Sequence, residues 1–301
     1  MGVADDDGPT DALAARYADR RDTVLRRLTG AHGAARARYL AADRSDRRAI
    51  ARMVQEGVVK EYPGRVIALP GTKREVIVAL QVGGVIGCAH AVVACGLPVQ
   101  DEPGPHVHVL VPNTPRTAPL RTVCHWVADL HVDPLGSPYA NTETMLIAFM
   151  RCAEPLDVLI ALDAALRGGL VTKEQLRARL RGNRNGALRK LLDRANPKAR
   201  SLLETIARYE LEEAGATPEV GVEVSIGELD LLLGRLDMET DGHEFHSRRA
   251  DWEHDRHRDQ WLIAHGYTPL RLTSRQVLTH QTVELVRPMA QRLGYWPDLE
   301  A

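Results

Sequence analysis

Aromatic side chains are scarce in this sequence, 4% of 301 residues, so aliphatic groups must fill whatever cores it builds. No apolar run approaches the roughly 18 to 20 residues that cross a bilayer as a helix. The opening MGVADDDGPTD lacks the basic-then-apolar order of a secretory signal, and the expectation is a cytoplasmic protein with no membrane partner. Cysteine is sparse too. Cys88, Cys95, Cys124 and Cys152 lack the close pairing of a zinc site and none falls in the last third, which predicts buried, reduced thiols. Internal repeats and low-complexity stretches are missing. What is present is an ordinary soluble composition, 44% hydrophobic and 26% charged, on a chain long enough for two or three compact units.

The net charge of −1 conceals an asymmetry. Residues 16–74 hold 15 Lys/Arg against 6 Asp/Glu, whereas residues 200–301 hold 11 against 19. A basic block suggests a polyanionic partner. An acidic block rich in histidine suggests a cation site or a solvated surface.

Along the chain, Leu13, Tyr17, Val24, Leu25 and Leu28 recur at helical spacing, with Gly30 as a stop. Residues 34–42 read as a second short helix. Ser45 is a plausible N-cap for a third, with Ile50, Met53 and Val54 facing inward and Gly57 at its end. VVKEY-PG-RVIAL is a hairpin signal. Three helices followed by a hairpin is the order of a winged helix-turn-helix, assigned to residues 12–72. Residues 73–197 form a mixed α/β middle region with strands at 107–111 and within 122–132, a helix at 157–166 and a helix capped by Thr172. It shows no catalytic constellation and reads as a scaffold or protein-contact unit.

Residues 198–301 have the element order α-β-β-β-α-β-α. EVGVEVSI alternates, placing Val220, Val222, Val224 and Ile226 on one face. Side chains two apart on a strand share a face, so Glu239 and Asp241 point one way and Leu236, Met238 and Thr240 the other. Asp230, between Leu229 and Leu231 in the preceding strand, is expected on the same polar face. Carboxylates converging on neighbouring strands repel unless a cation sits among them, and oxygen ligands suit Mg²⁺ or Mn²⁺. Such an ion polarises a phosphoryl oxygen and acidifies a bound water, the chemistry that breaks phosphodiesters.

The segments LDLLLGRLDMETDGHEFH and DRHRDQWLIAHGYTPLRLT resemble the very-short-patch-repair-endonuclease-like branch of the PD-(D/E)XK nuclease superfamily, over about residues 198–295. The matching pieces are an Asp in a short strand, E-x-D-G, a His four residues after that Gly, and D-R-x-R on a helix. The resemblance implies a restriction-endonuclease-like α-β-β-β-α-β core. It also implies that Asp230 is the central metal ligand, that Glu239 and Asp241 fill the E-x-K place, and that Glu204 completes the metal shell. In the same way it makes His246 the group that activates water or protonates the leaving group, and Asp255 a holder of the water network. Asp241 stands where the superfamily has lysine, and the zinc-binding cysteines of the mismatch-repair enzyme are missing.

RRAIARMVQEGVVKEYPGRVIALPGT, with CAHAVVACGLPV and HVLVP downstream, resembles AbiEi-type antitoxins, which repress a toxin operon. Arg44, Arg47, Arg48 and Arg52 then lie in or beside the recognition helix, and Lys60 and Arg65 in the wing. Such a helix enters the major groove while the wing contacts the backbone. The bland alternative is a solvated Arg-rich face. The favoured expectation is a DNA-binding protein with an Mg²⁺- or Mn²⁺-dependent endonuclease domain, acting in phage defence or DNA repair. Its rivals are an antitoxin-like repressor whose last domain only binds or dimerises, and an adaptor whose acidic face meets a basic toxin.

Overall fold

The computed structural model describes residues 8–241 and 249–297, and side chains over 12–240 and 256–297. The described residues form a mixed α/β structure with three small sheets. Two compact units emerge. One runs through Cys95 and resumes over Glu102–Phe149; the other comprises Gly96–Asp101 and the chain from Met150 onward. The expected boundary after residue 72 falls inside the first unit, and that after 197 inside the second.

The first unit begins with α1 (Gly8–Gly30), β1 (Ala34–Arg36), α2 (Ala37–Leu40), α3 (Arg44–Gln55), β2 (Lys60–Tyr62) and β3 (Val66–Ala68). The strands form an antiparallel sheet in the order β1-β3-β2. Val24 and Leu28 of α1, Leu40 of α2, Ile50 and Met53 of α3, and Ile67 of β3 close one aliphatic core. Two expectations need correction. Residues 34–42 are not one helix, because Ala34–Arg36 pair with Val66–Ala68 and only the last part turns helical. The cap of α3 is Asp43 rather than Ser45, since its carboxylate accepts the Asp46 amide and Arg20 ties both acids down. The hairpin turn holds Pro63, Gly64 and Arg65, with Gly64 at φ +78° and Arg65 at +58°.

The same unit continues through α4 (Arg74–Val82), β4 (Val85–Ile86), α5 (Cys88–Ala94), β5 (Val107–Val111), β6 (Thr122–Trp126) and α6 (Thr142–Phe149). Here β4 pairs antiparallel with β5, and β5 parallel with β6. Val107, Val109, Leu110 and Val111 are buried, as expected of a short apolar strand between polar flanks.

The second unit opens with α7 (Pro155–Arg167), α8 (Lys173–Arg179), α9 (Gly186–Arg194) and α10 (Leu202–Glu213). Thr172 does cap α8, in a reciprocal pair with Gln175. A buried polar knot joins α7 to α10. Asp163 Oδ2 accepts from Arg208 Nη2 at 2.8 Å and from the Thr205 hydroxyl at 2.9 Å, while Oδ1 accepts the Asn196 amide at 2.6 Å. Both ions are 1% exposed.

Then come β7 (Glu219–Val224), β8 (Gly227–Leu233), β9 (Leu236–Asp241), α11 (Arg249–Ala264), β10 (Thr268–Thr273), α12 (Ser274–Leu278) and α13 (Thr282–Leu293). The sheet order is β10-β9-β8-β7, an antiparallel meander with β10 added parallel to β9 across α11. The predicted order α-β-β-β-α-β is therefore present. Leu231, Leu233, Leu236, Met238 and Leu272 pack with Ile206 and Leu211 of α10 and with Val277, Val286 and Ala290. Leu229, Leu232, Val222 and Val224 pack instead with Leu262 and Trp261 of α11. The strict alternation read along 219–226 fails. Val220 lies in the first cluster and Val222 and Val224 in the second, because Gly221 sits at φ +60° and turns the strand over. Between β8 and β9, Leu233 pairs with Leu236, so Gly234 and Arg235 form a two-residue turn. Gly234 has φ +63°, and a Cβ there would stand 2.4 Å from the Tyr295 ring.

Candidate functional site

Strands β8 and β9 pair from Leu231–Met238 to Leu233–Leu236 and no further. Beyond that point β9 stays paired to β10 through Asp241, and the gap toward β8 is filled by a side chain. Asp230, 6% exposed, accepts the Thr240 amide at 3.0 Å and the Thr240 hydroxyl at 3.3 Å through Oδ2. Its carboxylate thus stands in for a ladder partner. The other oxygen takes a charge-assisted hydrogen bond from Arg200, just ahead of α10.

Glu204, in the first turn of α10, is 4% exposed and accepts the Arg200 amide at 2.8 Å. Burial raises its proton affinity, and the negative charge of Asp230 raises it further. Glu239 follows Asp237 by two residues on β9 and so shares its face. Burial, then the charges of Asp230 and Asp237, push the Glu239 carboxyl up to about 8, although Arg258 donates to it at 2.6 Å. Asp230 thus lies within electrostatic reach of both Glu204 and Glu239.

Sequence reasoning missed Asp237. It is fully buried, burial pushes it up to about 6, and among the described residues neither of its oxygens has a donor within hydrogen-bonding distance. Two ionised acids offer each other only acceptors. A proton on Glu239 would let it donate to Asp237, and a cation would serve both. The signal lay in the spacing Asp237, Glu239, Asp241, which marks one strand face three times. The backbone of Asp241 lies opposite Thr273 of β10, but its side chain, that of Asp255 and the whole of His246 lie outside the described residues.

Of the expected DNA-contacting groups, Arg44, Arg47, Arg48 and Lys60 are exposed on α3 and β2. Arg52 is engaged, bonding Glu56 at 2.7 Å and stacking 4.0 Å above the Tyr17 ring, so it packs α3 against α1. Arg65 pairs with Glu61 at 3.3 Å.

A second group was invisible to spacing rules. Cys88 at the start of α5, His108 on β5, His125 on β6 and Cys152 in the turn that closes α6 each offer a ligand atom, all within 4.8 Å of one another. These residues could hold a metal ion, with sulfur and nitrogen donors rather than the oxygens suited to magnesium. The expectation of four buried thiols also needs correction, because Cys95 and Cys152 are exposed. Among the described residues, no helix is long and apolar enough to cross a membrane. No protein-family model matches the chain, and no curated protein matches it in sequence.

Proposed function

We propose that the second unit is a metal-dependent endonuclease domain of the restriction-endonuclease-like, PD-(D/E)XK type. In this reading the winged-helix-like order from α1 to β3 of the first unit brings it to DNA. One observation carries the proposal. Four carboxylates, Glu204, Asp230, Asp237 and Glu239, gather where β8 and β9 part, within an α-β-β-β-α-β chain order.

The donor set fits a hard divalent cation. It is all oxygen, two of those oxygens have no donor, and three of the acids hold protons above their usual range. Asp230, Glu239 and Glu204 would hold Mg²⁺ or Mn²⁺, with the unpartnered oxygens of Asp237 as further acceptors. Bound there, the ion supplies Lewis-acid polarisation of a phosphodiester and a more acidic water. The protein's own residues supply the rest. Arg200 and Arg258 hold Asp230 and Glu239 in the resting chain, and their planar forks are suited to phosphate oxygens once DNA arrives. His246 is the group assigned to move the proton, Asp255 steadies the water network, and Asp241 occupies the lysine place.

The arginine pairs also support a second reading, in which the acidic site stays locked and the chain is a DNA-binding regulator of the antitoxin kind. The test is cleavage of single- and double-stranded DNA by the full chain with Mg²⁺ or Mn²⁺. Asp230→Asn should abolish cleavage and leave the fold intact, since Asn keeps an acceptor for the Thr240 amide. His246→Ala should slow it by roughly 10² to 10⁴. A wild type that cuts nothing leaves the regulator, and an Asp230→Asn variant that cuts normally shows the site misassigned.

A further inference from the structure

We propose that Cys88, His108, His125 and Cys152 form a closed, structural zinc site. It is independent of the acidic site and of the reading given to it.

The chain assembles this group from four separate elements. His108 and His125 come from the parallel pair β5 and β6, where His108 lies opposite Val123 and His125 opposite Leu110. Their rings meet with His125 Nε2 and His108 Nδ1 3.0 Å apart and centroids at 5.1 Å. Cys88 arrives from the first residue of α5, buried, with φ +48°, a left-handed backbone that a side-chain-bearing residue adopts at a cost. Cys152 lies in the turn that closes α6, and α5 packs against α6. The four ligand atoms lie within 4.8 Å of one another. A tetrahedron with Zn–N near 2.0 and Zn–S near 2.3 Å has edges of roughly 3.3 to 3.8 Å, inside the span from 3.0 to 4.8 Å seen here.

The chemistry selects the metal class. Two thiols and two imidazoles make a soft-to-borderline set that favours zinc over magnesium or calcium. On binding, each thiol gives up its proton to solvent, and two thiolates neutralise the dication, so the half-buried site carries no net charge. Four protein ligands complete the coordination shell and leave no position for substrate, which makes the site a clamp joining β5 and β6 to α5 and α6. The exposed Cys152 leaves an entry path.

The experiment measures metal in the full chain, purified without added metal or chelator, by elemental analysis, with thiol state read by mass spectrometry. Stoichiometric zinc is expected in the wild type and in Cys95→Ser and Asp230→Asn. Zinc should fall to background in His108→Ala/His125→Ala, and Cys152→Ser should lose it more readily to a chelator. Should the double variant fail to fold, cobalt substitution of the wild type decides. A thiolate charge-transfer band with the intense ligand-field bands of tetrahedral cobalt supports the site, and octahedral nitrogen–oxygen spectra overturn it. A metal-free wild type, zinc retained by the double histidine variant, or a Cys88–Cys152 disulfide in place of metal would each overturn it as well.

Discussion

Replacing Asp237 by Asn should stabilise the metal-free protein at alkaline pH and leave it almost unchanged near pH 5. In the folded chain the Glu239 carboxyl is pushed up to about 8 and Asp237 up to about 6, by burial first and by neighbouring negative charge after it. An acid whose folded proton affinity is raised favours the fold fully below its unfolded value. That advantage is lost as pH climbs through the folded value. The window here runs from the ordinary carboxyl range, near 4, to about 8. Each tenfold change in proton affinity corresponds to about 1.4 kcal/mol. The two acids relieve one another, because protonating one removes the charge that burdens the other. Their joint effect is therefore on the order of 3 kcal/mol, less than the two taken separately. Asn at 237 removes one charge, and its amide donates to Glu239, so most of the loss should vanish. Thermal melts in chelator at pH 5 and pH 8 give the test. The wild type should drop by several degrees more than the variant across that interval, at about 2 to 4 °C per kcal/mol for a unit of this size. Millimolar Mg²⁺ should restore the wild type at pH 8. Equal pH slopes in wild type and variant would refute the account of the acid pair.

The buried knot in the second unit gives a contrasting expectation: Asp163→Ala should cost about 3 kcal/mol in urea titrations, because it leaves Arg208 Nη2, the Thr205 hydroxyl and the Asn196 amide without their buried acceptor, while Arg208 keeps Glu212 and the Arg194 carbonyl through Nη1. A loss under 1 kcal/mol would mean that water reaches Arg208. The full chain should bind duplex DNA with an affinity that falls steeply with salt, and Arg47→Ala/Arg48→Ala should weaken it several-fold and flatten the salt slope by about two. Fluorescence anisotropy at graded salt reads both, and an unaltered slope removes α3 from the interface.

Much of the architecture was legible because it rests on local signals. The apolar run at 107–111, the Thr172 cap and the strand-turn-strand pattern at 227–241 all formed as their residues predict. Failures came where a tertiary partner overrode a local preference. Ala34–Arg36 are helix-tolerant residues that became a strand because β3 offered a free edge. Gly221 broke an alternation that looked regular in one dimension. Motif order singled out Asp230, Glu239 and Glu204, of which Asp230 lies within electrostatic reach of the other two, whereas Asp237 hid as one more polar residue in an alternating strand. The Cys/His group could not be read at all, since no ligand lies within fifteen residues of the next in the chain, and only the β5–β6 register and the packing of α5 on α6 make them neighbours.

The turn at Gly234 and Arg235 has a consequence for how this chain tolerates insertion and deletion. Strand faces repeat every two residues, so one residue added to or removed from the segment 236–241 would send Asp237 and Glu239 toward α10 and α13 and leave Leu236 and Met238 facing α11. A two-residue change would keep the parity. The turn itself sets that reading frame, and Tyr295, far along the chain, fills the space that a side chain at 234 would need. A side chain at 234, four residues after Asp230 and three before Asp237, would therefore act on the acids through the strand register rather than by touching them. Length changes in this hairpin should be inherited in pairs, or accompanied by a change at 295.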